Sequence, residues 1–285
     1  MIRPNRNSWE LGPAEFCVHG LWLFPLLVLL CASCAPKRLA LDPGPKTAWD
    51  GFSRSRQAVS PLESGDFSIR ASMNTASKDR KDRLVIKAWG RMRGPVRTDI
   101  EAGIGKTLVM WLDEPGRWTA FYPTDNRAYY HADARVGMNL LGFASPFDVR
   151  ELLAVSLGRV DALIPDTPGD VANCGAGCWR FFFPENARLA SLDLDVQGIP
   201  LTMIGRDGWR VDFIRSDGKD IPDRLDLLID PQTRAVIRVK EFEIRSDPWP
   251  DRALELDLPE DARVLRLLDE GEQVLEGRDR SRPED

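Results

Sequence analysis

The sequence contains few residues that could carry covalent or metal chemistry. It has two histidines and five cysteines among 285 residues, whereas a closed zinc site normally takes four Cys or His ligands. A Ser-His-Asp triad downstream of the N-terminal region would need His131, which stands at a predicted strand end, and the chain has no Gly-x-Ser-x-Gly turn. We therefore expect His131 to lie at the surface, and we expect no catalytic residue, metal site or cofactor.

Cys174 and Cys178 lie in the segment NCGAGCW, in which two glycines allow a tight reversal of the chain. In an oxidising compartment such a pair typically forms a disulfide. A redox-active role is the alternative, but the C-x₃-C spacing and the lack of a thioredoxin-like βαβ pattern weigh against it. We predict a short-loop disulfide that pins the segment before the strand CWRFFF.

The apolar run from Leu21 to Leu30 ends shortly before the segment Cys31-Ala-Ser-Cys34. The run is about ten residues long, and a helix that spans a bilayer needs roughly 20. Upstream arginines and downstream small residues give the layout of an export signal. The segment resembles the bacterial lipobox, although Cys31 replaces the usual leucine at its first position. An ordinary signal peptide cut nearby is the alternative.

We predict that residues 1–33 are a signal peptide, that Cys34 becomes the acylated N-terminus, and that residues 34–46 are a lipidated tether. Two or three acyl chains, such as palmitate, would give durable anchoring at roughly 0.8 kcal/mol per buried methylene. Ala35 follows the cysteine where inner-membrane lipoproteins of enterobacteria have aspartate. By that resemblance, the predicted location is the outer membrane, facing the periplasm.

Residues 47–262 are predicted to form one domain, which is large enough to bury a core without metal or many disulfides. Residues 263–285 are predicted to be a polar, disordered tail. The formal net charge is −5, and no basic cluster with interleaved aromatic residues occurs. This composition argues against a nucleic-acid partner.

Apolar residues recur with a period of two from residue 66 onwards, which is typical of half-buried strands. About eleven strands are predicted, and their short connections through Gly, Asp, Pro and Asn turns imply antiparallel pairing. The alternation slips near Lys240-Glu241, which predicts a bulge. The segment LELDL, residues 254–258, is predicted to close the sheet.

Two amphipathic helices are predicted to cover the apolar face of this sheet. The first lies near residues 47–60, and the second occupies residues 146–158, with Ser145 as its N-cap. Two helices are too few to cover so large a sheet tightly. A cavity between sheet and helices is therefore one interpretation, and a dry, well-packed core is the other.

The order of these elements is similar to that of the LolA/LolB family of lipoprotein carriers and receptors. The resemblance runs from Trp49 to about Leu258 and is carried by AWDGF, DFSIRASMN, RLVIKAWGR, EAGIGKTLVMW, ASPFDVRELLAVSLGR and IDPQTRAVIRVK. The family fold is an unclosed β-barrel that holds acyl chains under helical lids and has no active site. The resemblance thus implies a mainly β, antiparallel, unclosed half-barrel covered by short α-helices.

Strand residues predicted to face inward are expected to line a lipid-binding cavity, with ordinary core as the alternative. They are Phe67, Ile69, Met73, Ile100, Leu108, Met110 and Trp118. The turn Gly103-Ile104-Gly105 resembles the receptor loop whose protruding apolar residue acts at the membrane. A side chain of Ile104 that folds back onto the sheet rim is the alternative.

The resemblance implies three partners: the outer-membrane bilayer, a lipid or lipoprotein cargo, and a LolA-like carrier. A second hypothesis keeps the fold and the anchor but gives the protein a structural or assembly role, in which the sheet binds a protein partner. A hydrolase is disfavoured by the scarcity of histidine.

Replacement of Cys34 by serine tests the predicted anchor. The Cys34→Ser variant is expected to remain unprocessed or to become soluble, because the hydroxyl cannot accept the thioether-linked lipid. Membrane fractionation and the mass of the mature protein measure this. A normal membrane fraction and a normal mature mass for the variant would contradict the assignment.

Overall fold

The computed structural model describes residues 44–57, 65–103, 105–216, 218–219 and 221–268. Cys34 and Ile104 lie outside the described residues, as do the predicted signal peptide and most of the predicted tail.

Fourteen strands occur in the described part, and all of them belong to one sheet. They are β1 Asp66–Ala76, β2 Lys81–Arg91, β3 Val96–Ala102, β4 Lys106–Glu114, β5 Arg117–Tyr122, β6 Arg127–His131, β7 Val171–Gly175, β8 Cys178–Phe182, β9 Leu189–Asp195, β10 Pro200–Gly205, β11 Arg210–Ile214, β12 Arg224–Asp230, β13 Thr233–Arg245 and β14 Arg263–Arg266.

The strand order is β14-β6-β5-β4-β3-β2-β1-β13-β12-β11-β10-β9-β8-β7, so the sheet ends on β14 and β7 and does not close. Neighbouring strands are antiparallel, except that β14 runs parallel to β6. Short turns connect most neighbours, as antiparallel pairing permits. The predicted antiparallel, unclosed half-barrel is confirmed.

Three α-helices occur in the described part, and they pack on one face of the sheet, which we call the concave face. They are α1 Pro45–Gln57, α2 Ala134–Leu140 and α3 Val149–Ser156. No helix in the described ranges is long and apolar enough to cross a membrane.

The core consists of two apolar clusters, and α3 contributes to both. The first cluster lies between α1, α3 and the strands from β8 to β13, with Ala71, Met73 and Ile86 from the centre of the sheet. The second cluster lies between α2, α3 and strands β1 to β5. Its buried members are Phe67, Ile69, Ala88, Val96, Ile100, Val109, Trp111, Trp118, Ala120, Met138, Val149, Leu153 and Leu157.

The second predicted helix begins later than expected, because Asp148 and not Ser145 is the N-cap of α3. The Asp148 carboxylate accepts from the backbone N–H of Glu151 at 2.8 Å, and the Glu151 carboxylate accepts from the N–H of Asp148 at 3.1 Å. This capping box satisfies two backbone donors at once. The hydroxyl of Ser145 instead bonds the backbone of Phe147.

The sheet has more strands than the predicted eleven or so. The sequence pattern does not reveal β7, β14 or α2. The segment LELDL is not a strand: Leu254 ends a 3₁₀ helix, and residues 255–258 have no regular structure. β14 falls within the predicted tail of residues 263–285, so the ordered sheet continues past the predicted boundary. A four-residue strand that pairs with a distant β6 leaves no local signal long enough to recognise.

The predicted bulge is confirmed in β13. Arg70 of β1 lies opposite Glu241, and Ala71 lies opposite Val239, so Lys240 is the extra residue. The shift keeps the apolar side chains on the concave face on both sides of the bulge, as the period of two requires.

The segment of residues 246–262, which we call the strap, crosses the outer face of the sheet between β13 and β14. The indole N–H of Trp89 donates to the carbonyl of Ala253 at 2.8 Å. The guanidinium of Arg97 donates to the carbonyl of Glu255 at 2.6 Å. The strap therefore carries the chain across the convex side to the edge that β14 completes.

Two glycines bring α1 into backbone contact with the β9–β10 turn. A Cβ on Gly51 would collide with the carbonyl oxygen of Gln197, and a Cβ on Gly198, whose φ is +89°, would collide with the backbone of α1. The same helix places Trp49 against Phe181, with ring centroids 5.1 Å apart. Close approach at the glycines thus seats α1 over the first cluster.

Alanine at Gly51 tests this docking. Glycine to alanine inside a helix normally stabilises a protein by about 0.5–1 kcal/mol, but the collision with Gln197 should reverse the sign. We expect Gly51→Ala to lower the free energy of unfolding by about 1–3 kcal/mol, as overpacking does. Gly44→Ala is the matched control, because its added Cβ would meet no atom within 4 Å. Urea unfolding measures both variants, and a stabilised Gly51→Ala would refute the contact.

Candidate functional site

A cavity of about 310 Å³ lies between the concave face of the sheet and the connection from α2 to α3. Ligand pockets in proteins occupy roughly 300–1,000 Å³, so this cavity is at the small end of that range. Its walls come from β1, β2, β12, β13, α3 and residues 142–145. The lining residues are Met73, Thr75, Ala76, Ser77, Arg80, Asp82, Leu84, Gly142, Phe143, Ala144, Ser145, Leu152, Leu227, Ile229, Thr233, Ala235 and Ile237.

The polar and apolar lining residues occupy different parts of the cavity. Ser77 and Arg80 belong to the β1–β2 turn, and Thr233 begins β13 after the β12–β13 turn at the same end of the half-barrel. Leu152 of α3 and Ile237 of β13 are buried in the first cluster. The cavity therefore has a polar rim and an apolar interior, which is the arrangement that suits a ligand with a polar head and an apolar chain.

The β3–β4 turn lies at the same end of the half-barrel as the rim. Ala102 at the end of β3 is paired with Leu84, which lines the cavity. Gly103 and Gly105 both have positive φ, +59° and +78°, and a Cβ at either would meet no atom within 4 Å. These two members of the predicted membrane loop thus stand clear of the rest of the described chain, beside the rim.

Of the seven residues predicted to line a cavity, only Met73 does so. Phe67, Ile69, Ile100 and Trp118 point to the concave face as predicted, but they are buried in the second cluster beneath α2 and α3. Their position corresponds to the alternative of ordinary core.

The face predicted for Leu108 and Met110 is wrong. Their neighbours Val109 and Trp111 lie in the second cluster, so Leu108 and Met110 point to the outer face, where they are half-buried. Both faces of β4 are apolar, and a register shift follows Ile100 in the pairing with β3. The alternation along this strand therefore carries no information about which face is inward.

The remaining apolar lining comes from residues that the sequence did not single out. Leu227 and Ile229 alternate on β12, and Ala235 and Ile237 alternate on β13, a pattern that marks an inward face but not its place along the sheet. Phe143 lies in irregular backbone between two helices, where periodicity gives no signal.

Arg150 fastens α3 to the sheet at the end of the half-barrel opposite the rim. Its guanidinium donates to the carbonyls of Met92 at 2.5 Å, Gly94 at 2.6 Å and Asp113 at 2.8 Å. Its Nε lies 2.7 Å from the carboxylate of Asp113. Burial raises the pKa of Asp113 to about 6, and the nearby Asp148 adds to this shift while Arg150 opposes it.

Cys174 and Cys178 form a disulfide that closes the β7–β8 hairpin. Asp193 lies near both sulfur atoms, but its carboxylate forms a two-point ion pair with Arg180 at 2.6 and 2.7 Å. Among the described residues this is the one cysteine-containing group with a metal-like spacing, and disulfide sulfurs are not thiolate ligands.

His131 is the last residue of β6, shortly before the N-cap of α2, and does not line the cavity. Its Nδ1 accepts from the backbone N–H of Asp133 at 2.9 Å, while the Asp133 carboxylate caps α2 by accepting from Val136 at 3.0 Å. This position fits a role in organising the helix start.

No model of a known protein family matches the chain, and no curated protein matches it. Solved structures do. A DUF1329 family protein from Desulfovibrio piger aligns over 75% of this chain and 98% of its own, with 12% identity and a TM-score of 0.51. A LolA superfamily protein from Nitrosomonas europaea aligns over 76% of this chain and 99% of its own, with 11% identity and a TM-score of 0.41. An outer-membrane lipoprotein-sorting domain from Vibrio parahaemolyticus aligns over 73% of this chain and 97% of its own, with 10% identity and a TM-score of 0.45.

At these identities the likeness is one of fold. The class that the structure defines is an open antiparallel half-barrel with helices on its concave face. This is the open half-barrel with helical lids that the sequence predicted, and function has to be argued from the site.

The raised pKa of Asp113 makes a testable link between pH and stability. The folded protein holds this proton more tightly than the unfolded chain between pH 3.8 and about 6. The contribution of Asp113 to stability is therefore greatest below pH 4 and is lost as the pH rises through 6. Relative to the wild type, Asp113→Asn is expected to gain about 2–3 kcal/mol in free energy of unfolding between pH 4 and pH 7. Urea unfolding across this range measures it, and a difference independent of pH would contradict the raised pKa.

Proposed function

We propose that this protein is an outer-membrane-anchored lipoprotein that binds acyl chains, or the lipid moieties of lipoproteins, in its half-barrel. It helps to localise or insert them, and it is not an enzyme. The cavity with apolar walls and a polar rim, between the sheet and residues 142–145, carries this proposal.

The driving force for uptake is burial of apolar surface. Leu227, Ile229 and Ile237 offer aliphatic surface to an entering chain, and each Å² of apolar area removed from water contributes about 25 cal/mol. The rim supplies partners for a polar head, since Arg80 and Asp82 form an ion pair of 2.6 Å with the arginine side chain largely exposed. Binding and release then need no covalent step.

The proposed anchor and the proposed membrane loop act together with this cavity. A tether of about ten residues between Cys34 and the domain spans at most roughly 35 Å, so the domain stays close to the bilayer. Gly103 and Gly105 lie at the rim end, and Ile104 between them is proposed to enter the membrane interface when the cargo leaves. Exposed Leu140 at the end of α2 adds apolar surface near residues 142–145.

The alternative is a structural or assembly lipoprotein that binds a protein partner without transferring lipid. The observation in its favour is that the protein's own side chains fill most of the concave face in two clusters. In that case the cavity would be a packing feature at one end of the core.

A binding assay with a charged cavity variant separates the two functions. The unlipidated protein is expected to bind an apolar fluorescent probe that a fatty acid displaces. Ile229→Glu places a charge in the cavity wall and should abolish probe binding, because a buried carboxylate disfavours an apolar ligand. Ile214→Glu is the matched control, since Ile214 is exposed at the opposite end of the sheet and its variant should bind normally.

Transfer of a bound fatty acid from the lipidated protein to vesicles tests the delivery step. Ile104→Glu is expected to bind the probe normally but to deliver it poorly. A wild-type protein that is folded and binds no probe would overturn the lipid function and leave the assembly role. Normal delivery by Ile104→Glu would remove the loop from the mechanism.

A further inference from the structure

Three buried polar atoms in or beside the second cluster have no hydrogen-bond partner among the described residues. They are the hydroxyl of Thr98 and the indole nitrogens of Trp111 and Trp118. The exposed fraction of the residue surface is 2% for Thr98, 4% for Trp111 and 0% for Trp118. A buried donor left unpaired typically costs about 1–3 kcal/mol, so their concentration in one part of the core calls for an explanation.

The three atoms belong to adjacent strands of the concave face. Thr98 of β3 lies opposite Trp111 of β4, and the ring centroids of Trp111 and Trp118 are 5.6 Å apart. The benzene edge of Trp118 faces Gly137 of α2, because Cε3 and Cζ3 are the atoms that a Cβ there would meet. Its N–H therefore lies on the opposite edge of the ring, away from α2.

Phe143 lies between the cavity and Trp111. Its side chain lines the cavity and packs edge-on against Trp111, with ring centroids 4.9 Å apart. It is half-buried, contacts both clusters, and stands in irregular backbone after Gly142, whose φ is +81°. Phe143 thus both lines the cavity and packs on the ring of Trp111.

We propose that the cavity continues behind Phe143 into a polar subsite, and that it selects acyl ligands that carry a neutral oxygen acceptor along the chain. This inference rests on the proposed function. Two indole N–H groups can only donate, and the Thr98 hydroxyl can donate as well. A keto, ester or hydroxyl oxygen would satisfy these donors, whereas a plain methylene chain would leave them unpaired.

The charge of the surroundings favours a neutral acceptor over a carboxylate. Asp113 follows Trp111 by two residues on the same face of β4, and in the sheet it lies opposite Trp118 of β5. The guanidinium of Arg150 is already bound to Asp113 and to backbone carbonyls, so a second buried carboxylate would add its own desolvation cost. The polar head of the ligand is thus assigned to the rim, and the chain oxygen to the subsite.

Two fatty acids of equal length test the subsite, one saturated and one with a ketone near the chain end. The wild type is expected to bind the keto acid more tightly, by roughly 3- to 10-fold for one or two hydrogen bonds to a neutral acceptor. Thr98→Val keeps the side-chain shape and should reduce this preference, while Thr98→Ser, which retains the hydroxyl, should preserve it. Phe143→Ala should speed the binding of both acids.

Indole N–H signals in ¹H–¹⁵N spectra, assigned with Trp111→Phe and Trp118→Phe, report on the subsite directly. They should move downfield with the keto acid and stay in place with the saturated acid. Equal affinities in the wild type and in Thr98→Val, with unmoved indole signals, would overturn the subsite and leave the proposed lipid binding intact. Failure of both acids to bind the folded protein would overturn both proposals.

Discussion

The guanidinium group of Arg150 ties the first turn of α3 to the sheet. Arg150 reaches from the first turn of this helix to the backbone of the β2–β3 turn and to Asp113, where several carbonyl oxygens converge on it. A buried charge is tolerated only when its donors are satisfied. The carbonyls of Met92 and Gly94 belong to the β2–β3 turn, so the helix and the turn fix one another.

The position of α3 divides the interior of the half-barrel. Leu152 and Val155 complete the first cluster, and Val149 and Leu153 complete the second. Between the start of α3 and the end of α2 the chain has no regular structure, and it is there that the packing is incomplete. The space for a ligand is therefore a product of how the lid is anchored, since the sheet alone would offer one continuous apolar surface. Phe143 is the side chain that lies across the division.

Local pattern predicted those features of the chain that local forces determine. The alternation of DFSIRASMN predicted the inward face of β1, and the slip at Lys240 predicted the bulge. The two glycines between the cysteines predicted the reversal of the chain that the disulfide closes. Where both faces are apolar, as at Leu108 and Met110, alternation cannot distinguish them. The cavity escaped prediction for a different reason: it depends on where helices end over the sheet, and Arg150 sets that through contacts distant in sequence.

The central seam of the sheet joins β1 to β13, and its ion pair between Arg70 and Glu241 spans 171 residues. The chain leaves the ribosome with its N-terminus first, so β1 to β6 emerge well before β13 and β14. This six-strand portion then has two unpaired edges, since β13 and β14 are both missing, and unpaired edges readily recruit other strands. Contacts between residues so far apart in sequence also form slowly. The nascent protein thus depends on β13 and β14 to cover the edges of β1 and β6. Until these strands are made, the exposed edges favour association with other incomplete chains.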